Sequence, residues 1–87
     1  MRWRAYLGGE PLFAQWGDDV ALFHPPSGRT HFLNDSGFQI LQLLAATPLD
    51  LDGLQETLAV TDPEGRAALQ RILWQFDQLG LIVPTGP

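Results

Sequence analysis

"RTHFLNDSGFQILQLL" (residues 29–44) is the stretch on which the fold turns. Thr30, His31, Phe32 and Leu33 have strand-forming character. Phe38, Ile40, Leu41 and Leu44 then recur at helical spacing. Between the two runs stand only Asn34, Asp35 and Ser36, all residue types whose side chains cap helix N-termini. A strand therefore passes into a helix with no loop, which leaves little freedom in the angle between them.

Upstream, "LFAQW" (12–16) and "VALFH" (20–24) flank the turn residues "GDD" (17–19) and read as a hairpin. "PPSG" (25–28) makes the next turn, so residues 29–33 form the third strand of a meander. Trp16 is expected in its core. Trp3, Ala5 and Leu7 alternate with Arg2, Arg4 and Tyr6, which suits an extra strand within residues 1–10, ended by Gly8 and Gly9. Downstream, Asn34 or Asp35 caps a first helix that runs to Ala46 and is stopped by Thr47 and Pro48. Asp50 caps a short second helix with Leu51, Leu54 and Leu58 on one face. In "TDPEG" (61–65), Asp62 is the N-cap of a third, Pro63 fits the first helical position and Glu64 suits the positive end of the dipole. Leu69, Ile72, Leu73, Phe76 and Leu79 give that helix one apolar stripe, Gly80 ends it, and "LIVP" is an extended tail that packs back on the core. Strands followed by helices predict an α+β fold: a three-stranded antiparallel sheet, then three helices, in a winged-helix-like arrangement.

The chain's 87 residues fit one small domain, residues 1–87. It has no cysteine, which removes thiolate chemistry and zinc–thiolate sites. No apolar run is long enough to span a membrane, and "MRWRAYLGGEP" lacks the apolar stretch of a secretory signal, so a cytoplasmic location is expected. The formal charge is −5, with five arginines (Arg2, Arg4, Arg29, Arg66, Arg71) and no lysine. A winged-helix DNA-binding role is the weaker alternative, because Arg66 and Arg71 on the third helix are opposed by Glu64 and Asp77. Ser27 and Ser36 lack the setting of a nucleophile, and "SG" and "GG" are turn glycines without a phosphate-loop lysine. Asp50 and Asp52 are explained by capping. His24 and His31 flank the "PPSG" turn, have no third ligand at metal-binding spacing, and are read as edge or surface histidines. The expectation is a non-enzyme without metal or cofactor.

"VALFHPPSGRTHFLNDSGFQIL" and "ALQRILWQFDQLGLI" together resemble the PqqD family of small peptide chaperones, also called RiPP recognition elements. The likeness runs from Leu12 to Ile82, and the Leu33–Asn34 junction is its most specific piece. The longer N-terminal segment with Trp3 and Tyr6 looks like the subclass associated with kinases related to HPr kinase. The resemblance implies a protein that binds the leader part of a ribosomally made precursor peptide. The peptide would add as a strand beside the third strand, in a groove walled by the third helix, for presentation to a modifying enzyme or such a kinase.

The residues permit this. Arg29, Thr30, His31, Phe32 and Leu33 form a candidate edge, and Thr30 to Leu33 carry none of the proline, lysine or charge that usually protects one. Thr30 and Phe32 should share one face, His31 and Leu33 the other. A proline at His31 blocks a guest strand if that residue turns its N–H outward; otherwise Phe32→Pro is the matching change. On the third helix, Ala68, Ile72, Gln75 and Leu79 share a flank that suits a groove, with Arg71 just outside it. Trp74 projects away from the core stripe and either meets a partner or is covered by Trp3 and Tyr6. A protein–protein adaptor docking a kinase or other enzyme is the alternative function, and edge exchange offers a route to a homodimer.

Overall fold

The computed structural model describes residues 1–8 and 12–85; the side chain of Trp16, expected in the core, and the expected strand end at Gly9 lie outside the described residues. Strands β1 (Arg2–Ala5), β2 (Leu12–Trp16), β3 (Asp19–His24) and β4 (Arg29–Asn34) precede helices α1 (Asp35–Ala46), α2 (Leu51–Thr57) and α3 (Pro63–Leu79), and β5 (Ile82–Thr85) ends the order. The fold is α+β, with an antiparallel β2-β3-β4 sheet and three helices.

Each boundary has a local cause. Asn34, Asp50 and Asp62 sit in extended backbone and accept from the N–H of Gly37, Gly53 and Gly65. Each thereby satisfies one donor that the first helical turn leaves unpaired. Gly80 ends α3 in the left-handed region at φ 75°. The hairpin turn between β2 and β3 is one residue tighter than "GDD" suggests, because Asp19 pairs with Trp16 and only Gly17 and Asp18 remain in the loop.

The ends of the chain differ from expectation. "LIVP" is not merely a tail: β5 pairs antiparallel with β1 in a second, two-stranded sheet. On its other side β1 bridges Leu49, with the Trp3 N–H donating to the Leu49 carbonyl at 2.7 Å and the return bond at 3.0 Å. Leu81 and Ile82 are thereby drawn into the core beside Leu41, Leu44, Leu54, Leu73 and Phe76. Arg66 donates to Asp52 at 2.7 Å and also to Gln55, clamping α2 to α3. Of the two cations on α3 that the alternative nucleic-acid role would use, Arg66 is thus engaged within the fold. No described helix is long and apolar enough to cross a membrane.

Gly37 sets how closely the β4–α1 junction approaches α3. A Cβ there would lie 3.2 Å from the Asn34 Oδ1 and 3.3 Å from the Phe76 ring. The junction of the opening stretch is thus seated directly on α3, held by the Asn34 cap at 2.8 Å. Asn34→Ala is expected to cost about 1 kcal/mol, the usual worth of an N-cap. Chemical denaturation would read this as a lower midpoint with an unchanged slope.

Candidate peptide-binding edge

The direction in which β4 offers its backbone follows from the first hairpin. Gly17 has φ 64° and Asp18 is not in the positive-φ region, which defines a two-residue turn of the II′ type. In such a hairpin the flanking pair, Trp16 and Asp19, carries the closing hydrogen bonds. Backbone groups then alternate along β3: Asp19, Ala21 and Phe23 bond to β2, while Val20, Leu22 and His24 bond to β4. The uninterrupted register pairs those three with Leu33, His31 and Arg29. Thr30 and Phe32 consequently turn their N–H and C=O groups away from β3, to the side where no strand of the described residues lies. Phe32, not His31, is the position where proline blocks a guest without breaking the ladder.

Side chains alternate across the same sheet. Phe13–Leu22–His31 and Gln15–Val20–Leu33 form rows on the inner face, towards the helices. Leu12–Phe23–Thr30 and Ala14–Ala21–Phe32 form rows on the outer face. Leu22 and Leu33 are buried, whereas Leu12 and Phe32 are 70% and 67% exposed. The outer face is therefore apolar and open, a feature the reading of the edge alone missed. Its signal stands in "VALFH", where apolar residues occupy both parities of the strand instead of one.

The α3 half of the expected groove is divided. Ala68 and Ile72 line a cleft of about 460 Å³ whose other walls are Ser36, Gln39 and Ile40 of α1 and the segment Thr57–Val60. No residue of β4 lines that cleft. Ser36, which lines it, lies two residues beyond the end of β4, so edge and cleft adjoin through the α1 N-terminus. Gln75 and Leu79 are exposed beyond the cleft, and Leu79, expected on the core stripe, is 43% exposed. Arg71 belongs elsewhere: with Glu64, Ala67, Gln70 and Trp74 it lines a shallow concavity on the far side of α3. Trp74 is 64% exposed, so the N-terminal segment does not cover it. Trp3 only shares a second hollow with it, and Tyr6 lies against His24 instead.

The histidines also depart from expectation. His24 is not a surface group but is 1% exposed. Its Nε2 lies 2.7 Å from the Tyr6 carbonyl, to which it donates, and its Nδ1 lies 2.8 Å from the Ser27 hydroxyl, from which it accepts. Tyr6 in turn donates its N–H to Leu81 at 2.8 Å, and a Cβ at Gly8 would overlap the Pro26 ring. The N-terminal segment thus ties the β3–β4 turn to β5 and fixes the Arg29 end of the edge. His31 packs its ring 5.9 Å from that of His24 and buries an Nε2 that has no hydrogen-bond partner. Among the described residues no group of three potential ligands could hold a metal.

Burial, then the neighbouring His24 and Arg29, lower the pKa of His31. The unfolded chain protonates this residue below about pH 6.5, the folded chain only at lower pH. In that window unfolding takes up a proton, so stability rises with pH and is lost as pH falls from about 6.5 towards the lowered folded value. His31→Leu should lose less stability than the parent between neutral and mildly acidic pH, as read by urea midpoints.

Comparison with family models, with curated proteins and with solved structures returns no match.

Proposed function

We propose that this chain is a non-catalytic peptide chaperone of the PqqD kind, which takes the leader of a ribosomally made precursor as an added strand on β4 and presents it to a modifying enzyme. The observation that carries this reading is the orientation of Thr30 and Phe32, whose backbone donors and acceptors face an open side. An added strand satisfies such groups directly, giving affinity from the main chain and specificity from alternate side chains. The edge has no proline, lysine or internal charge, and Gly37 lets the β4–α1 junction sit against Phe76 beside the α1–α3 cleft. Strand β2 is the other edge. There the Gln15 side-chain amide donates back to the Gly17 carbonyl. A proline at Gln15 is therefore the control for one at Phe32.

The test is titration of the isotope-labelled domain with the short peptides encoded beside it. Shifts gathered on residues 29–34 and on the Ser36 and Ile72 walls of the cleft support the reading. Shifts elsewhere only, or none, refute it.

A second reading rests on Trp74. An exposed tryptophan between two hollows is the kind of anchor that dominates protein interfaces, and it suits the docking of a kinase or other enzyme. The two roles occupy different faces and are compatible. Trp74→Ala should weaken enzyme capture by about tenfold or more while leaving peptide affinity unchanged, as measured by paired calorimetric titrations.

A further inference from the structure

From the outer sheet face we infer the chemistry of the guest: an extended segment with two apolar side chains spaced two residues apart and a Lys or Arg two residues further on. This rests on the strand-addition reading and specifies what the edge selects. A strand added beside β4 extends the rows of the sheet. Its outward side chains fall opposite Thr30, Phe32 and Asn34. The first two positions continue the rows Leu12–Phe23–Thr30 and Ala14–Ala21–Phe32. Leu12 and Phe32 are the most exposed large apolar side chains of those rows, and Phe32 stands on the edge strand that a guest adjoins. Helices pack only on the other face of this sheet, against Leu22 and Leu33. Apolar guest residues at these two positions would be buried against Phe32, one directly opposite it and one diagonal to it beside Thr30, which polar ones would not.

The third position continues the row Asp19–Asn34. Asp18, Asp19 and Asp35 are all exposed at this end of the sheet, with no basic residue in the adjoining row. Among the described residues the only ion pair is Arg66–Asp52, between α3 and α2, and it involves none of these three carboxylates. A guest cation reaching over Asn34 therefore meets uncompensated carboxylates. The chain's net charge of −5, without a lysine, favours a basic segment over a second copy of itself. Pairing antiparallel to β4, the guest reads Lys-x-Φ-x-Φ from its N-terminus, with Φ apolar; pairing parallel, it reads Φ-x-Φ-x-Lys.

The test uses two synthetic peptides carrying these two orders, with variants in which both Φ become Ser or Lys becomes Glu. Affinity is read by fluorescence anisotropy and location by the Thr30 and Phe32 amide resonances. One order should bind and perturb both amides. The Ser variant should lose about 10–100-fold. The Glu variant should lose about 2–5-fold at low salt, and Asp19→Lys should restore its binding. Phe32→Ser should weaken the parent peptide while leaving the fold intact, because the Phe32 side chain adjoins the guest and is 67% exposed. Peptides that perturb both amides yet bind equally well after either change would overturn this inference and leave strand addition standing. Failure of both orders to perturb Thr30 and Phe32 would overturn this inference, and strand addition falls as well if the peptides encoded beside the chain leave those amides unmoved.

Discussion

Phe32→Pro is expected to lose peptide binding by about 10–100-fold while unfolding at nearly the same denaturant concentration as the parent. The loss follows from leaving a guest carbonyl without its donor, a cost of about 1–3 kcal/mol, to which the bulk of the ring adds. The fold should survive because the Phe32 N–H faces away from β3 and takes no part in the ladder. Phe32→Ala separates the two contributions of this residue, since it keeps the backbone donor and removes only the exposed ring. His31→Pro should behave in the opposite way. Its N–H bonds to Leu22, so that change breaks the ladder and destabilises the sheet before any guest is added. Equal binding by the parent and Phe32→Pro would remove strand addition from the account.

The second large effect concerns stability. Leu22→Ala should cost about 2–5 kcal/mol, the range for deleting a fully buried leucine. Leu22 is wholly buried between Phe13 and His31 in the inner row and belongs to the same core as Ile40, Leu41 and Leu44. A domain of this size holds only about 5–10 kcal/mol in all, so the variant should be partly unfolded at modest denaturant. Phe32→Ala, on the outer face of the adjoining strand, should change stability by less than about 1 kcal/mol, because its side chain is 67% exposed. The contrast between the two measures how completely the sheet is one-sided, and thus whether its outer face is free to meet a guest.

Most of the fold is legible in the residues because its boundaries are made by local chemistry. The caps at Asn34, Asp50 and Asp62 and the left-handed Gly80 are short-range devices, and each stands where its residue type predicts. The pairing of β1 with β5 is not legible. Two strands at opposite ends of the chain carry no turn between them to announce the match, and their register depends on the helices folded in between. His24 escapes for a similar reason. Its neighbours in sequence are turn residues, but its burial comes from Tyr6, eighteen positions away.

The candidate site was legible in its strand and less so in its helix. The parity of Thr30 and Phe32 needs only the alternation of a strand, but whether they face outward depends on the turn type at Gly17 and Asp18, two strands away. On α3, a helical projection places Arg71 close to Gln75 in angle, yet the packing of α1 and α2 divides that flank. Ala68 and Ile72 fall in the cleft and Arg71 beside Trp74. Periodicity gives the angle of a side chain about its own helix, whereas the neighbour it meets is set by the crossing of other elements.

The most direct test of the central claim is amide hydrogen exchange across β4, with and without the short peptides encoded beside this chain. In the free domain the amides of His31 and Leu33, bonded to β3, should exchange slowly, and those of Thr30 and Phe32 should exchange fast. Strand addition predicts that a cognate peptide slows Thr30 and Phe32 selectively. Binding that leaves those two amides exchanging as fast as before would contradict it.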